Sequence, residues 1–112
     1  MSRHQIVIHK SRKQLELYEG NRLIGRYPIA IGKRDTPTPI GHFSIVSKEP
    51  NPGGIFGSHW LGLSIPHYGI HGTNNPASIG QSVSKGCIRL HNQDIARLYR
   101  EVEVGTPVII QP

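Results

Sequence analysis

Apolar positions along the chain fall in short runs bounded by Gly, Pro and Asn, the pattern of many brief strands rather than long helices. Ile6-Val7-Ile8 is a β-rich run, and Gln14-Leu15-Glu16-Leu17-Tyr18 opens with polar/apolar alternation. Glu19-Gly20-Asn21-Arg22 reads as a hairpin turn, because Gly and Asn accept positive φ. The return strand is expected from Leu23 to about Ile31, with Pro28 marking a sheet edge or a bulge. These segments predict an antiparallel meander.

Lys33 to Gly41 is a loop dense in Pro and Thr, after which His42-Phe43-Ser44-Ile45-Val46 resumes a strand. Asn51-Pro52-Gly53-Gly54 opens an irregular segment running to Trp60, of the kind that forms lids and binding loops. Leu61–Ile65 and Tyr68–His71 read as two further strands. Asn75–Ile79 is expected to open a short helix with Pro76 first. The clearest helix lies between His91 and Val102, where Ile95, Leu98, Tyr99 and Val102 recur at spacings of three and four. Asn92 is expected to cap it, with Asp94 in its first turn, and Gly105-Thr106-Pro107 stops it before a last strand at Val108–Ile110.

The 112 residues fit a single domain, 1–112, with no repeat or linker. The fold class expected from the pattern is mainly β with one or two short helices. Hydrophobic residues make up 36%, enough for a modest core, and no apolar run reaches the length of a membrane span. The apolar stretch near the start is too short for a signal peptide, so no secretion signal is expected in the chain. Lys and Arg outnumber Asp and Glu by 13 to 7, which favours anionic partners. The positive charges are scattered and aromatics are only 6%, so a solvated basic surface ranks above nucleic-acid binding.

Cys87 is the one cysteine, so no intrachain disulfide forms. A lone cysteine is a small buried hydrophobe, a metal ligand or a reactive thiol. His71 lies sixteen positions before it. An imidazole near the sulfur can take the thiol proton and hold a thiolate–imidazolium pair. Gly86 permits a backbone shape that L-residues disfavour, and the amides of Gly86 and Cys87 are candidate oxyanion donors. Arg89 offers a bidentate donor for a carboxylate, on a substrate or in a structural pair, and Ser84 either orients the loop or binds substrate. A zinc set of His67, His71, Cys87 and His91 is the rival reading, weakened by Pro66 and Gly69, which disfavour a helix there, and by the lack of CxxC pairs. No metal or cofactor is expected.

His71-Gly72-Thr73, followed by Ser84-Lys85-Gly86-Cys87-Ile88-Arg89-Leu90-His91-Asn92-Gln93-Asp94, resembles the active-site signature of the L,D-transpeptidase catalytic domain (YkuD-like) family. Thr36-Pro37-Thr38-Pro39-Ile40-Gly41-His42-Phe43 resembles that family's T-P-x-G-x-F segment, and the likeness runs from about Ile6 to Ile110. It implies an L,D-transpeptidase-like β-sandwich or barrel of mixed sheets with a cysteine at a sheet-lined cleft. It further implies that Cys87 attacks peptidoglycan stem peptides and that a 3→3 cross-link follows, with L,D-carboxypeptidase action when water accepts. His71 is then base and acid, oriented by the carbonyl of Gly72, and Cys87 is a carbapenem target. Lys85 departs from the pattern, since many members have histidine there. The substrate implies a cell-wall or spore compartment. A non-catalytic module binding an anionic wall polymer is the alternative from another class.

Overall fold

A computed structural model describes residues 3–112, leaving Met1 and Ser2 outside the described residues. Strands β1 (His4–His9), β2 (Gln14–Glu19) and β3 (Arg22–Pro28) form the expected meander. Ile6 faces Leu17 and Ile8 faces Leu15 across β1 and β2. Strand β10 (Pro107–Gln111) lies parallel to β1, bringing Val108 beside Ile6 and Ile110 beside Ile8. All six side chains are buried, as the two-residue period of a strand requires for one inward face.

The ten-residue β5 (Gly41–Pro50) joins the two halves of the fold. Its first residues pair with β10, and those from Ile45 onward pair with β6 (His59–Leu63), with a register shift between Ile45 and Ser47. Bulged strands bend, so this irregularity turns the sheet. Strands β7 (Gly69–His71) and β9 (Ile88–Arg89) complete an eight-stranded mixed sheet in the order β3-β2-β1-β10-β5-β6-β7-β9. Strands β4 (Ile31–Gly32) and β8 (Ser82–Ser84) make a separate two-stranded parallel sheet. The class is therefore mainly β, a curled mixed sheet with one α-helix, and the sheet keeps two edges instead of closing as a barrel.

Helix α1 (Asn92–Glu101) packs on β6 and β7 and buries Ile95 and Leu98. Its amphipathic spacing was the expected one, but its start differs. His91 is the cap residue, and the Asn92 side chain makes no capping bond. The segment after Asn75 forms only one 3₁₀ turn, Pro76–Ser78, so Cys87 is reached through β8 and not through a full helix.

The expected strand Leu23–Ile31 ends at Pro28, which occupies the sheet edge. Beyond it the chain turns inward: Ile29 and Ala30 are fully buried. Ala30 and Arg89 exchange backbone hydrogen bonds of 2.9 and 3.0 Å. This bridge ties the first third of the chain to the strand that follows Cys87.

Candidate active site

The parallel register of β7 and β9 sets Ile70 against Ile88 and His71 against Arg89. Ile70 and Ile88 point into the core. The alternate positions, His71 and Arg89, face a pocket of about 330 Å³ that Cys87 also lines. Trp60, Phe56 and Ile55 form an apolar wall, while Lys33, Lys85 and Arg89 supply positive charge. No acidic side chain lines this pocket. A larger hollow of about 540 Å³ between β3 and α1 is lined by Arg22, Arg97, Arg100, Glu19 and Glu101, with neither cysteine nor histidine in its wall.

His71 is 3% exposed. Its Nδ1 lies 2.5 Å from the carbonyl oxygen of Gly72. A carbonyl only accepts, so Nδ1 carries the proton and Nε2 is left as the basic nitrogen. Burial lowers the His71 pKa from 6.5 to about 4; the Gly72 hydrogen bond opposes this and the charge of Arg89 adds to it. The imidazole is thus neutral at physiological pH.

The Cys87 thiol is half-buried and donates to the His67 carbonyl at 3.7 Å. Burial raises its pKa, against a hydrogen bond from the Gly69 backbone and the charge of Arg89. Both shifts favour uncharged forms, so the resting groups are a thiol and an imidazole. These shifts weigh against the thiolate–imidazolium pair that the residue types allow.

The loop carrying Cys87 is held from below. Thr38 Oγ1 donates to the Gly86 carbonyl at 2.8 Å and accepts from the Gly32 amide at 2.9 Å. Thr36 Oγ1 donates to the Ser84 carbonyl at 2.9 Å. The threonines of the Thr-Pro segment therefore build the nucleophile loop across 48 residues of sequence.

Ser84 and Gly86 hold each other within this loop. Ser84 is buried, and its hydroxyl donates to the Cys87 carbonyl at 2.6 Å while accepting the Gly86 amide at 3.1 Å. That hydroxyl orients the loop. The same bond occupies the Gly86 amide, which turns it toward Ser84. Gly86 does take the conformation its type suggests, with φ of 120°.

Arg89 has Ser78 as its side-chain partner, at 3.2 Å, and no carboxylate pairs with it among the described residues. The structural ion pair considered for it does not form. Lys85 is exposed at the pocket rim. The zinc set does not assemble, since among the described residues no three His, Cys, Asp or Glu gather to hold a metal. His67 instead sits in an exposed turn with φ of 73°.

Sequence reasoning missed the roles of Trp60 and Asn92. The Trp60 ring stacks on His71, with centroids 5.6 Å apart and planes at 16°. Asn92 fastens the backbone just after His71, accepting from Thr73 N at 3.0 Å and donating to Thr73 O at 3.1 Å. The only signal for Asn92 was its place in the Cys87 motif, where helix capping offered a sufficient explanation.

A curled mixed sheet presenting a thiol and a neutral imidazole in one cationic pocket defines a β-protein with an enzyme-like cleft. The chain belongs to the L,D-transpeptidase catalytic domain (YkuD) family, whose sequence profile matches residues 3–110. A Bacillus licheniformis protein assigned as the L,D-transpeptidase YkuD is 55% identical over 109 residues, covering 97% of this chain and 66% of that protein. The chain thus spans about two thirds of the length of such relatives. The catalytic domain of the Enterococcus faecium L,D-transpeptidase superposes with a TM-score of 0.83 at 24% identity, covering 99% of this chain and 98% of that one. The Ldtfm–avibactam carbamoyl enzyme superposes with a TM-score of 0.86 at 25% identity, over 100% of this chain and 50% of that chain.

Proposed function

We propose that this chain is a cysteine-dependent L,D-transpeptidase acting on peptidoglycan stem peptides, with Cys87 as nucleophile and His71 as general base and acid. The observation that carries the proposal is the shared pocket of Cys87 and a ring-enclosed, neutral His71 with Nδ1 fixed on Gly72. A neutral imidazole beside a protonated thiol suits general-base attack: Nε2 takes the Sγ proton as sulfur bonds to the carbonyl carbon of the third stem residue. The Cys87 amide is the remaining candidate donor to the oxyanion. Collapse breaks the bond to the terminal D-alanine, whose amine leaves with the proton held by His71. A thioester remains on Cys87.

An amine from a neighbouring stem then attacks the thioester and gives its proton to His71. The cysteine sulfur leaves and is reprotonated, completing a 3→3 cross-link; water in place of the amine gives carboxypeptidase action. Lys33, Lys85 and Arg89, without an acidic neighbour in the pocket, suit a substrate rich in carboxylates. Arg89, which pairs with no carboxylate among the described residues, is the candidate partner for one on the stem. A third residue such as diaminopimelate fits this charge pattern. The substrate places the action at peptidoglycan, and nothing in the molecule singles out a spore compartment. Among the described residues, no helix is long and apolar enough to cross a membrane.

The test is to incubate the chain with a carbapenem and with a stem tetrapeptide, reading protein mass and D-alanine release. Expected are a covalent adduct and released D-alanine, both lost in Cys87→Ala. A native protein that gives neither sinks the reading, and an anionic-polymer binding module then becomes the better account.

A further inference from the structure

One planar peptide unit, between Gly72 and Thr73, is gripped from two sides. Its carbonyl oxygen takes the proton on His71 Nδ1 at 2.5 Å. Its N–H donates to Asn92 Oδ1 at 3.0 Å. A trans peptide is rigid and sets its C=O and N–H in opposite directions, so fixing the N–H fixes the carbonyl.

The Asn92 side chain does more than meet one amide. Its Oδ1 also accepts from Ser58 N at 3.1 Å, and its Nδ2 donates to the Thr73 carbonyl at 3.1 Å. A single group must therefore accept two N–H bonds and donate to a carbonyl, which a primary amide does and a carboxylate or aliphatic side chain does not. Gly57 and Gly72 leave room for it, since a Cβ at either position would run into Asn92 Oδ1. Asn92 is the first residue of α1, whose Ile95 and Leu98 are buried in the core. Its backbone is thus anchored through the helix, and its carbonyl also accepts from Ser58 Oγ at 3.3 Å. It does not line the pocket and makes no helix cap, so neither substrate contact nor capping accounts for the arrangement.

We infer that Asn92 is a positioning residue for His71. It locks the Gly72–Thr73 peptide plane so that the Gly72 carbonyl keeps the proton on Nδ1 and leaves Nε2 as the base. The relay passes through the backbone, in the place where other nucleophile–base pairs use a carboxylate to orient the imidazole. This inference rests on the proposed role of His71, but its geometry is testable without activity.

The experiment follows the ring ¹⁵N shifts of His71 by NMR in the native chain, Asn92→Ala and Asn92→Asp at neutral pH. Carbapenem acylation rates are measured against concentration and pH in parallel. The native ring is expected as the Nδ1–H tautomer. In Asn92→Ala the ring shifts toward a mixture of tautomers, and the limiting acylation rate falls about 10- to 100-fold while the half-saturating concentration stays within a few-fold. Asn92→Asp keeps the acceptor for Thr73 N–H but loses the donor to the Thr73 carbonyl, so a smaller shift toward mixed tautomers is expected. It provides the test on its own should the alanine variant not fold, and a native tautomer with a native limiting rate there overturns the inference. A folded Asn92→Ala with native tautomer and native limiting rate also overturns it. If the ring responds as expected but no form is acylated, positioning stands and the proposed chemistry fails.

Discussion

The imidazole of His71 lies against the indole of Trp60, 5.6 Å between centroids and 16° between planes, while Phe56 meets it edge-on at 5.0 Å. This enclosure strips water from the ring, and lost hydration disfavours the imidazolium. It is the physical cause of the low His71 pKa, about 4. Trp60→Ala is expected to admit water and move the His71 pKa back toward 6.5. A ring-proton NMR titration checks it, and the acid limb of carbapenem acylation should move up by the same amount. A titration unchanged from native would show that the indole is not the source of the shift.

The same shift makes stability depend on pH. Unfolded His71 takes a proton near 6.5, whereas the folded ring takes one only near 4. Acidification between those values favours the unfolded chain, so stability is full above 6.5 and falls toward 4. At 1.36 kcal/mol per unit, the loss is at most roughly 3 kcal/mol. His71→Asn should flatten this part of a stability-against-pH curve measured by urea titration. Retention of the native slope in that variant would assign the effect to another group.

Gly86 sits at φ of 120°, where a side chain is strained, and a Cβ would press on the Tyr68 ring. Gly86→Ala is expected to cost about 1–3 kcal/mol of stability. Because Cys87 follows directly, acylation should slow more than the change in melting temperature alone implies. Denaturation and acylation kinetics on one sample separate the two effects.

Much of the sheet was legible because β1, β2 and β10 each carry inward apolar residues at every second position, and α1 carries its apolar stripe at helical spacing. Strands β4 and β9, two residues each, are too short to show any alternation. They exist because distant partners pair with them, as Ile31 does with Ser82. The site divides the same way. Residue chemistry pointed to Cys87 and His71, and the family resemblance to the Gly72 carbonyl. The duties of Thr38 and Asn92 depend on contacts 48 and 19 residues away, which local pattern does not encode.

Thr38 is 1% exposed, and its hydroxyl joins the Gly32 amide to the Gly86 carbonyl. Thr38→Val keeps the shape but leaves both backbone groups buried without that partner. An unsatisfied buried group costs about 1–3 kcal/mol, so a loss of about 2–4 kcal/mol is expected in urea unfolding. Faster alkylation of Cys87 by iodoacetamide should accompany it as the loop loosens. A variant as stable as native would mean that water replaces the hydroxyl.

On the far side of the sheet, the Glu16 carboxylate is buried and accepts from His9 Nε2 at 2.7 Å, Tyr18 OH at 3.0 Å and Arg26 Nη2 at 3.3 Å. The His9 hydrogen bond leads in lowering its pKa below 4.5, aided by Tyr18 and Arg26 and opposed by burial. A lowered carboxylate pKa stabilises the fold above the unfolded value of 4.5, and that stability drains away as pH falls through the folded pKa. The window lies largely below the one set by His71, and the His71→Asn and Glu16→Gln variants separate the two in an acid titration. Glu16→Gln keeps the size but weakens three charge-assisted bonds, and should cost about 1–3 kcal/mol at neutral pH. It should also remove the part of the acid loss below 4.5. An acid limb there as steep as native would show that Glu16 contributes nothing to it.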